Sequence, residues 1–190
     1  MTEETKATDV NSLLTKKMIE NRTILIYGGI DQDLAKEVTS QLLLLESLGD
    51  EPITIFINSQ GGHVEAGDTI HDMIKFVKPE VKVIGTGWVA SAGITIYLAA
   101  QAKNRYSLPN TRYMIHQPAG GVQGQSTEIQ IEAKEIVRMR ERVNRLIAEA
   151  TGNSYEKVAA DTDRNFWLSV DEAVDYGIVT TIVEHTKDVK

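Results

Sequence analysis

The sequence predicts an α/β fold built from βαβ units, and three observations predict it. Short runs of aliphatic and β-branched residues alternate with stretches of helical periodicity along most of the chain. Several of those runs end in polar or glycine-rich residues: Asn58 to Gly62, Gly87 to Ser91, and His116 to Pro118. One long amphipathic stretch, Thr127 to Thr151, then breaks the alternation.

The first fourteen residues are polar and aperiodic and predict a mobile arm, leaving 15–190 as one domain without internal repeat or linker. Thr23 to Tyr27 reads as a strand closed by Gly28-Gly29. Asp31 then caps a helix whose apolar face is Leu34, Val38, Leu42 and Leu45. Ile53 to Ile57 is a second strand, and the helix after it turns Ala66, Ile70, Met73, Ile74 and Val77 inward until Pro79 stops it. Val81 to Ile84 predicts a third strand, leading through a small-residue turn into the apolar helix from Ile94 to Ala100. Arg112 to Ile115 is a further strand. Ala119 to Gln125 is glycine-rich and polar, and the long helix follows, with Ile129, Ala133, Ile136, Val143 and Ile147 on its apolar side. Its other face is dense in Glu, Lys and Arg, which fits packing against a partner subunit and a solvated surface helix equally well. Asp161 to Asn165 is a polar loop, and Phe166 to Leu168 returns to the core. Ser169 to Glu172 reads as a capping box for a short helix ended by Gly177, and Ile178 to Val183 as the last strand.

Composition excludes several classes. A net charge of −7 argues against a nucleic-acid surface. The absence of cysteine excludes disulfides, thiolate metal sites and cysteine nucleophiles, and fits a reducing compartment. No secretory h-region is visible, and no apolar run approaches the ~20 residues that cross a bilayer. The expectation is a cytoplasmic chain with no membrane partner.

The chemistry-bearing residues gather at the strand ends, where open α/β sheets place their sites. Ser91 sits in the turn Gly87-Trp88-Val89-Ala90-Ser91-Ala92-Gly93, among residues too small to cover it, at the start of a helix. Free backbone N–H groups and the positive end of the helix dipole suit a nucleophile with an oxyanion site beside it. A plain helix cap fits the same residues. Gly61-Gly62 brings N–H donors close to a ligand or simply makes a turn. His116 is a candidate general base or a structural histidine, His63 is a rival base, and His71 and His185 read as solvated.

From about Leu13 to the C-terminus the chain resembles the ClpP family of ATP-dependent serine peptidases. The motifs are Ile57-Asn58-Ser59-x-Gly61-Gly62, Gly87-x-x-Ala90-Ser91-x-Gly93, Leu108-Pro109-Asn110 and Met114 to Pro118. Gly124-Gln125-x-Thr127-Glu128-Ile129 and Asp161-Thr162-Asp163-Arg164 complete the set. The resemblance implies a crotonase-like α/β subunit and a homo-oligomer of two stacked heptameric rings, hydrolysing unfolded peptides inside a chamber. It also implies an AAA+ Clp ATPase partner that uses ATP, while the peptidase itself takes no cofactor and no metal. Carried over by position, Ser91 is the nucleophile, His116 the base, and Gly62 and Ala92 the oxyanion donors. Gly120, Gly121, Gln123 and Gly124 form the substrate-pairing edge, Asp163 and Arg164 a ring-contact pair, and the helix from Thr127 a handle joining the rings.

Asn165 stands where the family places the triad aspartate. A neutral amide orients an imidazole without stabilising the imidazolium, so the resemblance implies a weakened Ser91-His116-Asn165 triad and low activity alone. Other departures are Ala92 for a methionine, Trp88 for a smaller residue, Gln60 for a proline, and no Ile-Pro pattern within 1–14. Three functional expectations follow. They are a serine endopeptidase of reduced power, a structural or regulatory subunit mixed with a competent ClpP paralogue, and, on shared fold alone, an acyl-CoA crotonase.

Overall fold

A computed structural model describes residues 3–190, with side chains from Val10 onward. The predicted alternation is present: α1 (Glu3–Glu20), β1 (Thr23–Ile30), α2 (Gln32–Leu48), β2 (Ile53–Gly62), α3 (Val64–Phe76), β3 (Val81–Ala90) and α4 (Ala92–Tyr97). After a 3-10 turn come β4 (Arg105–Ser107), β5 (Arg112–Ile115), α5 (Ser126–Thr151), α6 (Tyr155–Asp161), β6 (Phe166–Leu168), α7 (Val170–Tyr176) and β7 (Thr181–Ile182). Met1 and Thr2 of the expected arm lie outside the described residues. From Glu3 the segment is helical rather than aperiodic.

Strands β1, β2, β3, β4 and β7 form a parallel sheet in that order. β3 has two different neighbours on one side. Val83 to Gly85 pairs with β4, and Trp88 to Ala90 pairs with β5, whose far edge carries β6 antiparallel. The sheet therefore branches, and the branch β3–β5–β6 carries the residues singled out above.

Three strands outrun their expected ends, because the ladders continue through bulges. The registers shift between Tyr27 and Gly29 and between Ile57 and Ser59, so the polar-glycine stretches stay in the sheet as its carboxyl ends. β7 is shorter than expected, since Ile178 and Val179 are buried in the turn that follows α7. The Asp31 cap accepts from Leu34 N–H at 2.9 Å, and the Ser169–Glu172 capping box is reciprocal.

The core lies between the sheet and the helices. Ile24, Ile26, Ile53, Ile55, Ile57 and Val83 from the strands meet Val38, Leu42, Ile70 and Ile94 from the helices, all at most 1% exposed. His71 belongs to this packing, contrary to its sequence reading as solvated. It follows Gly67 by four residues and precedes Ile74 by three, on the buried stripe of α3, and its Nδ1–H donates to the Thr95 carbonyl at 2.7 Å. Burial pushes its pKa below the ordinary imidazole value.

The long helix departs more strongly. At 26 residues it is about 39 Å long, yet only Val143, Asn144, Ile147 and Ala148 are buried. Ile129, Ala133, Ile131 and Val137 are exposed and Ile136 is half-buried, so the N-terminal half stands clear of its own subunit.

Arg105 is 5% exposed and, among the described residues, has no carboxylate partner. It donates to the carbonyls of Ala100 (2.8 Å), Ala150 (2.7 Å) and Leu98 (3.2 Å), tying together the C-terminal ends of α4 and α5. Arg105→Met keeps the volume and orphans three acceptors. The expected loss is about 3 kcal/mol of unfolding free energy, read by urea denaturation.

Candidate active site

The site begins with a backbone choice. β3 ends at Ala90, and Ser91 takes φ 54°, ψ −123°, an unfavourable conformation for a side chain with a Cβ. The Ser91 side chain makes no capping bond to α4, which removes the helix-cap alternative. Its Oγ lies 2.7 Å from His116 Nε2 instead. The Ser91 N–H donates to the Met114 carbonyl at 2.9 Å, so the backbone that holds the serine is pinned to the strand that leads into the histidine. Twenty-five residues of chain separate the two side chains, and the β3–β5 pairing brings them together.

Gly61 and Gly62 close the other side. A Cβ on Gly61 would lie 2.5 Å from Ser91 Cβ, 2.8 Å from the Ala90 carbonyl oxygen and 3.1 Å from Ala92 N. Gly61 has φ +94° and Gly62 φ +157°, and a Cβ on Gly62 would run into the Ile30 carbonyl. The register pairs Ile30 with Gly62, but the N–H bonded to the Ile30 carbonyl, at 2.8 Å, is that of His63. In a parallel ladder this leaves the exposed Gly62 N–H outside the pairing with β1. Of the two expected oxyanion donors, Ala92 follows Ser91 and Gly62 follows Gly61, the residue packed against Ser91.

Three supporting residues stand in the quoted motifs but were given no role of their own by the sequence. Ser59 is fully buried, and its hydroxyl donates to the Gly28 carbonyl (2.6 Å) and accepts from Gly61 N–H (3.0 Å), fixing the glycine beside Ser91. Gln117, next to His116, donates its backbone N–H to the Thr162 carbonyl (2.6 Å) and its amide to the Asp163 carbonyl (2.7 Å). The buried Thr162 hydroxyl lies 2.9 Å from Asn144 Oδ1 on α5. The signal in the sequence was their place beside Gly61, His116 and Asp163, but polar residues in turns carry too little information to be separated from solvated ones.

Asn165 lies opposite His116, one step beyond the Ile115–Phe166 pair of the β5–β6 ladder. Both line a cleft of about 540 Å³ with Gln117, Pro118, Ala119, Asp163 and Arg164. No hydrogen bond joins Asn165 to His116, whose only side-chain bond among the described residues is the one to Ser91. The dyad is assembled, and the third residue is adjacent without being engaged.

The remaining candidates are spread around this centre. Gly120, Gly121, Gln123 and Gly124 are exposed in an irregular stretch between β5 and α5, with no ladder partner among the described residues. Asp163 pairs with Arg140 (3.2 Å) and with its neighbour Arg164, which is 86% exposed. His63 faces Glu65 at 3.3 Å and forms no hydrogen bond with Ser91, and His185 is exposed, as expected. A larger cavity, about 680 Å³ between α3, α4 and α5, holds no nucleophile–base pair, so chemistry rather than volume locates the site. Among the described residues no cluster of His, Asp and Glu is arranged to hold a metal, and no helix is long and apolar enough to cross a membrane.

Comparison with known proteins gives a consistent result. The family model described as Clp protease matches residues 5–186. The ATP-dependent Clp protease proteolytic subunit 3 of Rhizobium etli is 52% identical, over 98% of this chain and 96% of that protein. Subunit 2 of Pseudomonas aeruginosa is 50% identical, over 95% and 90%. Among solved structures, ClpP1 from Listeria monocytogenes is similar, with TM-score 0.85 and 72% identity over 93% of this chain and 99% of that one. The ClpP1 N165D mutant from the same organism aligns with TM-score 0.88, at the same identity and coverage.

Proposed function

This chain belongs to the Clp protease family, and from that premise we propose that it is a serine endopeptidase subunit hydrolysing unfolded peptides with a weakened Ser91-His116-Asn165 triad. The observation that carries the reading is the 2.7 Å Ser91 Oγ–His116 Nε2 contact at a positive-φ turn, with no capping bond competing for the hydroxyl. In the reaction His116 takes the Ser91 proton as Oγ attacks the peptide carbonyl. The Gly62 and Ala92 N–H groups receive the developing oxyanion, and the imidazolium then returns its proton to the leaving amine. Asn165 supplies orientation at most, because it has no charge to offset the imidazolium.

The exposed N-terminal half of α5, with Ile129, Ile131 and Val137, supports assembly into rings joined through this helix. The unpaired Gly120–Gly124 stretch supports capture of an extended peptide as an added strand. The relatives are ATP-dependent Clp protease proteolytic subunits by name, which supports a Clp ATPase as this chain's partner, with ATP used by that partner.

The unengaged Asn165 also favours a second reading, a structural or regulatory subunit of a mixed assembly whose competent paralogue supplies most of the hydrolysis. An active-serine phosphonate tests the first reading. Slow modification of Ser91, lost in Ser91→Ala and His116→Ala, is expected, and an unmodified Ser91 under forcing concentrations would remove the peptidase. Co-expression with a tagged competent paralogue separates the second, since it requires a mixed assembly to co-purify.

A further inference from the structure

The strand register extends the catalytic row into a second feature. Alternate residues of a strand share a face, so Arg112, Met114 and His116 of β5 point together while Tyr113 and Ile115 enter the core. β6 sets Trp167 opposite Met114, with Asn165 and His116 one step beyond the last pair of that ladder, and β3 sets Trp88 beside Arg112 and Ala90 beside Met114. The same face thus carries His116 and Asn165 in one row, Ala90, Met114 and Trp167 in the next, and Trp88 and Arg112 in the third.

Its outer rows are aromatic and cationic. The indoles of Trp88 and Trp167 stack at 6.2 Å with 8° between their planes, and the Arg112 guanidinium lies 4.4 Å over Trp167. The indoles remain 40% and 36% exposed, and neither belongs to a core cluster. Among the described residues Arg112 forms no ion pair, in a chain of net charge −7, whereas Arg140 and the cleft residue Arg164 share Asp163. Trp and Arg are the side chains that dominate binding hot spots, and a guanidinium held flat on an indole keeps its N–H donors for a carboxylate.

We propose that the Arg112–Trp167–Trp88 stack is a specificity-determining subsite of the peptidase, taking a bulky apolar or aromatic substrate side chain with a carboxylate beside it. The inference rests on the peptidase reading of Ser91 and His116. With a row spacing of two residues, about 7 Å, Trp167 lies one row and Trp88 and Arg112 two rows from His116, so the recognised side chains fall about two to four positions from the scissile bond of an extended peptide. Continuity argues for substrate as the occupant. The stack lies on the same sheet face as His116, one and two rows away, so a peptide extended along that face from the dyad reaches it.

The test is binding of labelled peptides to full-length Ser91→Ala, followed by fluorescence anisotropy. The peptides differ only in one dipeptide, Phe-Glu, Phe-Lys or Ala-Ala. The Phe-Glu peptide is expected to bind about tenfold tighter than the other two. Arg112→Glu, at an exposed side chain, should invert the Glu-over-Lys order, and Trp167→Ala should bring Phe-Glu to the Ala-Ala level. Equal affinities, or an order unchanged in Arg112→Glu, would overturn the subsite. So would Trp variants that shrink the assembly in sedimentation while keeping the order, which would assign the face to contacts between copies. Because the readout needs no turnover, failure of the phosphonate to modify Ser91 refutes the peptidase reading separately.

Discussion

Asn165→Asp is expected to raise kcat for a fluorogenic peptide by about 10²–10³-fold, or roughly 3–4 kcal/mol of barrier. The aspartate-to-asparagine change in a serine-protease triad costs about 10⁴ in kcat, because the amide leaves the imidazolium without a counter-charge and holds the wrong tautomer. The gain here is set lower because position 165 faces His116 across the β5–β6 ladder without a bond to it. A new carboxylate has to draw the loop in before it helps. The measurement is steady-state hydrolysis by parent and variant, each checked by sedimentation for the same assembly. Equal rates in equal assemblies would mean that the neutral amide is not what limits the enzyme.

Gly61→Ala is expected to lower kcat/KM by at least about 10²-fold while the protein still folds. The added methyl group would sit 2.5 Å from Ser91 Cβ and 3.1 Å from Ala92 N, and φ at this residue is +94°. Ser59 accepts the Gly61 N–H and anchors the segment, so the strand cannot slide aside to make room. The strain falls on the serine turn and on one oxyanion donor, against a stability cost of a few kcal/mol. Circular dichroism gives the folded fraction, and hydrolysis in the Asn165→Asp background gives the rate above its detection limit. A variant of unchanged kcat/KM would place the oxyanion donors away from Gly61-Gly62.

Most of the element order was legible because strand and helix periodicities differ and the caps carry local chemistry, as at Asp31 and Ser169. The dyad was legible from motif residues at strand ends. What escaped was tertiary. His71 is followed by Asp72 and has Asp68 and Lys75 at helical spacing, and it is packing against α4 that buries it. The polar-glycine stretches looked like strand terminators, and only the bulged registers keep them inside the sheet. The apolar side of the long helix was visible in its spacing, but periodicity cannot say whether the surface it meets belongs to the same subunit. Ser59 and Gln117 were hidden by type, since a small polar residue in a turn reads the same whether it anchors a site or faces water.

The branch in the sheet makes tolerance to change unequal across the catalytic machinery. Ser91 hangs from an inner strand and His116 from its direct neighbour, and one peptide bond's N–H locks the two backbones together. Asn165 precedes the outermost strand, which is three residues long and paired on one edge only. Change at the periphery leaves the inner pair aligned, so under the proposed triad a substitution at position 165 would alter turnover without moving Ser91 or His116.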